Sequence, residues 1–197
     1  MRLFLGDSFT SADNCNKTGF TTFIKNTETN INLAVSGTCI GNYSPYPVDG
    51  YNLLDILIQN ATLIKKANSI FIEYGINDTS ALCLKIVSIE QVKISLIKAI
   101  DYISQLNKNC KIYFLVLDKT ILKDYAKNQC DYLKMYTHKL IHWKTWKKWY
   151  NKIVNIADEF CTTIVMLDTL QYMDKNDVLH PSIEGYKKIA TILNKYI

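Results

Sequence analysis

Short apolar runs alternate with amphipathic helical stretches along this chain, and that alternation most constrains its fold. Residues 1–5, 31–35, 69–74, 111–117 and 163–167 are brief, rich in β-branched, leucine or aromatic side chains, and nearly continuous in hydrophobicity. Runs of this kind suit strands covered on both faces. Between them, residues 52–66 place Leu53, Leu57, Ala61 and Ile64 on one stripe, and residues 87–107 do the same with Val92, Leu96, Ala99, Ile103 and Leu106. A last helix opens at Pro181-Ser182 and lines up Ile183, Tyr186, Ala190, Leu193 and Ile197, with Glu184 early and Lys195 late, as the helix dipole favours. A short helix is expected over residues 19–26. Strands alternating with helices predict a parallel sheet with helices on both faces.

The length of 197 residues suits one domain spanning 1–197, and a hydrophobic content of 48% is enough for a packed core. The net charge of +5 is modest and points to no particular partner. No apolar run has bilayer-spanning length, and no leader is visible before Gly6, so a cytoplasmic location is expected. Cys15, Cys39, Cys83, Cys110, Cys130 and Cys161 form no CxxC pair, so they are read as reduced thiols and no metal site is expected.

In an open parallel sheet, ligands bind beyond the carboxyl ends of the strands. Polar motifs fall at four of those ends: Gly6-Asp7-Ser8, Ser36-Gly37, Gly75-Ile76-Asn77-Asp78, and a loop holding Asp177 and His180. A serine hydroxyl is a weak nucleophile and needs a base within reach. Of the three histidines, only His180 lies in a polar loop at this edge, and Asp177, three residues earlier, is close enough to orient it. Ser8 N–H, Gly37 N–H and the Asn77 amide are candidate donors to a developing oxyanion. Gly41 competes with Gly37, which fits the spacing from the strand better. Asp7 and Asp78 read as loop-orienting carboxylates. Ordinary turn chemistry would account for Gly37 or Asn77 alone.

Together these motifs resemble the SGNH hydrolase superfamily, the GDSL-type esterases and lipases. Gly6-Asp7-Ser8 is similar to its first block, Ser36-Gly37 to its second and Gly75-Ile76-Asn77-Asp78 to its third. Asp177-Val178-Leu179-His180-Pro181, with Gly185-Tyr186 behind it, is similar to its last. The resemblance implies a flavodoxin-like three-layer α/β/α sandwich with a five-stranded parallel sheet. It implies Ser8 as nucleophile, His180 as base, Asp177 as its orienter, and Ser8, Gly37 and Asn77 as the oxyanion hole, with no metal or cofactor. The implied activity is hydrolysis of a carboxylic ester through an acyl-enzyme, with a small acyl group such as acetyl on a carbohydrate or metabolite as the leading substrate. Acyl transfer, thioester hydrolysis and an inert binding module remain the alternatives.

Two further stretches bear on substrate and partners. The loop 41–50 carries Tyr43, Pro45, Tyr46 and Pro47 close behind Gly37, so Tyr43 and Tyr46 are expected to touch substrate. Residues 134–152, from Lys134 to Lys152, hold all three tryptophans and six lysines with no acid. Leu140, Trp143, Trp146, Tyr150 and Ile153 fall near helical spacing, so a core-facing stripe with a solvated lysine face is the primary expectation. A lid, a basic platform, a membrane contact and a partner contact are the alternatives, with no nucleic acid expected.

Overall fold

A computed structural model describes residues 1–25, 27–46 and 51–197. Five strands form one parallel sheet: β1 (Arg2–Gly6), β2 (Asn30–Asn32), β3 (Ser69–Glu73), β4 (Lys111–Leu117) and β5 (Thr162–Leu167). Their spatial order is β2-β1-β3-β4-β5, a doubly wound arrangement. The chain leaves β1 toward β2 on one side and returns to β3 on the other, which opens a crevice at the carboxyl ends of β1 and β3.

Around the sheet lie a single turn α1 (Ser8–Ser11), α2 (Leu53–Gln59), α3 (Ala61–Ile64), α4 (Ile76–Cys83), α5 (Ile89–Leu106), α6 (Leu122–Thr137), α7 (Trp143–Asp158) and α8 (Ile183–Leu193). Strand pleating splits the core in two. Phe4 and Phe71 enter one cluster with Tyr125, Leu133, Tyr186 and Ile189 of α6 and α8. Leu3, Leu5, Ile70 and Ile72 enter the other with Leu53, Leu57, Leu96 and Ile103 of α2 and α5. This is the expected three-layer α/β/α sandwich.

Several boundaries differ from the sequence expectation. β2 ends at Asn32 rather than continuing to residue 35, since it is an edge strand with one neighbour. The backbone still tracks β1, with Leu33 N–H donating to the Phe4 carbonyl (2.8 Å) and Val35 N–H to Gly6 (3.0 Å). That path delivers Gly37 beside the end of β1. The stripe over 52–66 is broken at Asn60, which leaves helical geometry (φ −111°, ψ 25°) and caps α2 by donating from Nδ2 to the Ile56 carbonyl. Residues 19–26 hold one 3₁₀ turn, Phe20–Thr22; Asn26 lies outside the described residues.

Residues 134–152 cover the end of α6, a loop and the first turns of α7. His138 takes a left-handed conformation (φ 56°) that closes α6 and reverses the chain. Trp146 is fully buried, and its indole stacks on Tyr150 one turn on (centroids 5.3 Å apart). Lys152 lies over the Trp149 ring at 4.7 Å, while Lys123 and Lys144 approach Trp143. Met135, Tyr136 and Leu140 are exposed. No helix among the described residues is long and apolar enough to cross a membrane.

Candidate active site

The site is built from three carboxyl ends of the sheet and the loop before α8. β1 ends at Gly6, and Asp7 caps α1 by accepting the Phe9 N–H on Oδ1 (3.0 Å). That cap places Ser8 at the first position of the turn, where its own N–H has no intrahelical acceptor. His180 Nε2 lies 2.8 Å from Ser8 Oγ, and His180 Nδ1 lies 2.5 Å from Asp177 Oδ2. A carboxylate can only accept, so Nδ1 carries a proton, and in the neutral ring Nε2 then faces the serine hydroxyl as an acceptor. The hydrogen bond from His180 is the main reason the Asp177 carboxyl is held below its ordinary range. It therefore stays charged where His180 must be held.

The Asp177–His180 turn is braced from two directions. Within the turn, Leu179 N–H donates to Asp177 Oδ1 (3.2 Å), and Val178 adopts φ 55°. From α6, the Tyr125 hydroxyl donates to the Leu179 carbonyl (3.1 Å) and Asn128 Nδ2 to the Val178 carbonyl (3.3 Å). Tyr125 and Asn128 lie ahead of residue 134, in the part of the stretch between β4 and β5 to which the sequence assigns no role.

Asn77 opens α4, behind Gly75, whose φ of 113° is open to glycine at little strain. Asn77 Nδ2 donates one proton to the Thr38 carbonyl (3.0 Å), which leaves its second N–H free to point elsewhere. Thr38 follows Gly37 (φ 77°), so this bond ties two candidate oxyanion donors together. Asp78 accepts the Ile40 N–H and the Tyr43 hydroxyl on Oδ1, both at 2.9 Å, and so holds the loop after Gly37. Its burial pushes its carboxyl up to about 7.

Ser8, Gly37, Asn77 and His180 line one pocket of about 280 Å³. Tyr46 is in its wall with Tyr132 and Tyr136, and Gln129 and Leu179 complete that side. Tyr43 is placed elsewhere: its hydroxyl is engaged by Asp78, and it packs against Gly41, away from the pocket lining. Pro47 and the rest of the loop to residue 50 lie outside the described residues.

A buried carboxyl pair lies beneath the serine. Asp7 and Glu73 are each 1% exposed, and the Thr10 hydroxyl donates to Glu73 Oε2 (3.2 Å). Burial and the neighbouring Asp7 push Glu73 well above its ordinary range. Burial also raises Asp7, to about 6, although the Phe9 N–H and Glu73 oppose the rise. Asp7 Oδ1 is taken up by the Phe9 N–H, which suits Asp7 to capping the turn. Glu73 and the pocket face of α6 were missed from sequence. The available signal was Tyr125, Gln129, Tyr132 and Tyr136 recurring at helical spacing, polar-tipped where a core stripe would carry leucine.

No sequence model of a known family matches this chain, and no curated protein does. Solved structures do. A Desulfitobacterium hafniense DCB-2 protein assigned to the G-D-S-L lipolytic family superposes with a TM-score of 0.64 at 14% identity, covering 100% of this chain and 98% of its own. The acetyl xylan esterase AlAXEase gives a TM-score of 0.64 at 15% identity, with 100% of both chains covered. The lipase Lip_vut3 from goat rumen metagenome gives 0.63 at 17%, with 98% and 95% covered. At these identities the likeness is one of fold, and it extends over at least 95% of each chain.

Proposed function

We propose that this chain, built on the SGNH-type fold, is a serine esterase that cleaves a short acyl group from a hydroxyl-bearing substrate. The observation that carries this proposal is the Ser8–His180–Asp177 relay, with spacings of 2.8 and 2.5 Å, whose Ser8 and His180 line the pocket. Ser8 Oγ attacks the ester carbonyl while His180 Nε2 takes its proton. The oxyanion meets the N–H groups of Ser8 and Gly37 and the second N–H of Asn77 Nδ2. Collapse expels the alcohol, which takes the proton back from His180 and leaves an acyl-Ser8. Water activated by His180 then releases the acid.

The pocket's size supports a short acyl group, since about 280 Å³ is at the lower edge of small-molecule sites. The acetyl xylan esterase among the structural neighbours is compatible with that choice. Turnover of p-nitrophenyl esters from acetate to palmitate tests it. Activity is expected to peak at acetate, to vanish in Ser8→Ala, and to fall on the order of 10²–10³ in kcat in Asn77→Ala. A preference for palmitate would refute the short-acyl assignment, and undiminished turnover by Ser8→Ala would refute the serine mechanism.

A further inference from the structure

Gln129, on the pocket wall, has no role in the relay. It is 4% exposed, and its buried Oε1 has no donor among the described residues. Its amide orientation is set by its neighbours. Nε2 donates to the Tyr125 hydroxyl (3.0 Å), and that hydroxyl donates onward to the Leu179 carbonyl (3.1 Å). Turning the amide over would put Oε1 on Tyr125, draw the phenolic proton away from Leu179, and orphan that carbonyl instead. The hydrogen-bond chain therefore runs one way, from Gln129 through Tyr125 to the His180 loop, and strands the carbonyl end.

The pocket wall beside Gln129 is aromatic. Tyr46, Tyr132 and Tyr136 stand with ring centroids 5.2 to 6.1 Å apart. Burial pushes Tyr46 upward, so its ring stays neutral. We infer that Gln129 Oε1 is the acceptor for a hydroxyl or amide N–H carried by the substrate, with the three tyrosines as the apolar wall against which a polyhydroxylated, sugar-like ring lies. This rests on the esterase proposal and narrows its substrate class. A buried acceptor is costly when left unpaired, whereas a donor placed against it recovers a hydrogen bond. A long acyl chain has no donor to offer. A sugar acetate has several.

The test compares a monoacetylated methyl glycoside with its counterpart in which every free hydroxyl is O-methylated, in wild type, Gln129→Met and Gln129→Leu. Ser8-dependent turnover of p-nitrophenyl acetate is followed alongside. The quantity read is the kcat/KM ratio of the hydroxylated to the methylated ester within each enzyme. Wild type is expected to favour the hydroxylated ester by about 10–100-fold, and both variants to bring the ratio near one. A variant that merely disturbs the α6 packing lowers both esters together and leaves the ratio unmoved. A wild-type ratio near one, or a high ratio that survives both substitutions, overturns the assignment of Gln129. Ser8-dependent turnover of p-nitrophenyl acetate with neither glycoside cleaved overturns this subsite alone. Loss of Ser8-dependent turnover on every ester overturns the esterase proposal and the subsite with it.

Discussion

Val178 stands between Asp177 and His180 with a left-handed backbone, and its β-branched side chain is 44% exposed. An L-residue in that region costs about 1–2 kcal/mol, and asparagine tolerates it better. Val178→Asn is therefore expected to stabilise the protein by up to about 1 kcal/mol in chemical denaturation, and a loss of stability would contradict the strain assigned here. The segment Asp177–His180 also shows what sequence can convey about a site. Alone, Asp177 and His180 read as easily as a turn cap beside an exposed histidine; Ser8 and Asn77 at the same sheet edge are what single the pair out, and His180 Nδ1 lies 2.5 Å from Asp177 Oδ2. Tyr43 was assigned to substrate because tyrosine suits a pocket rim, yet it packs on Gly41 and its hydroxyl bonds to Asp78, 35 residues away. Spacing along the chain holds no record of such a partner.

At the scale of elements, α6 does two jobs, one for the core and one for the site. Its buried Leu122, Ala126 and Leu133 join the core that holds Trp146 and Tyr150 of α7, while Tyr125, Asn128 and Gln129 reach toward the site. Tyr125→Phe removes the hydroxyl that holds the Leu179 carbonyl and accepts from Gln129. As a positioning residue, Tyr125 is expected to act on His180, so kcat should fall on the order of 10-fold with KM little changed. A rise in KM at constant kcat would assign Tyr125 to substrate binding instead. The strands were the elements most legible from sequence: the expected 111–117 run is β4 residue for residue, because a doubly covered strand shows its burial as continuous hydrophobicity. The long helix over 52–66 was not, because Asn60 ends it through a side-chain bond to the Ile56 carbonyl, a choice that competes with ordinary helix continuation.

Across the whole molecule, buried carboxyls give stability a slope with pH. Burial raises Asp78 to about 7 and Asp7 to about 6 in the folded state, against an ordinary value of 3.8. Between these limits the folded protein binds more protons than the unfolded chain. The contribution of both groups is therefore full below about pH 4 and is lost as pH rises through 6 and 7. Asp177 has the opposite sign, with stability present above its ordinary value and lost as pH falls through its lowered one. Asp78→Asn keeps an oxygen for the Ile40 N–H and the Tyr43 hydroxyl but removes the titration. Its stability relative to wild type should rise by roughly 2–4 kcal/mol from pH 4 to pH 8, and a gap constant with pH would contradict the buried, proton-holding Asp78. All of these effects surround one claim, that Ser8 is a nucleophile activated by His180. The most direct measurement is intact-mass and peptide analysis after exposure to a fluorophosphonate. One adduct on Ser8, absent in Ser8→Ala and formed far more slowly in His180→Ala, is the predicted result; no adduct, or one on another residue, would contradict it.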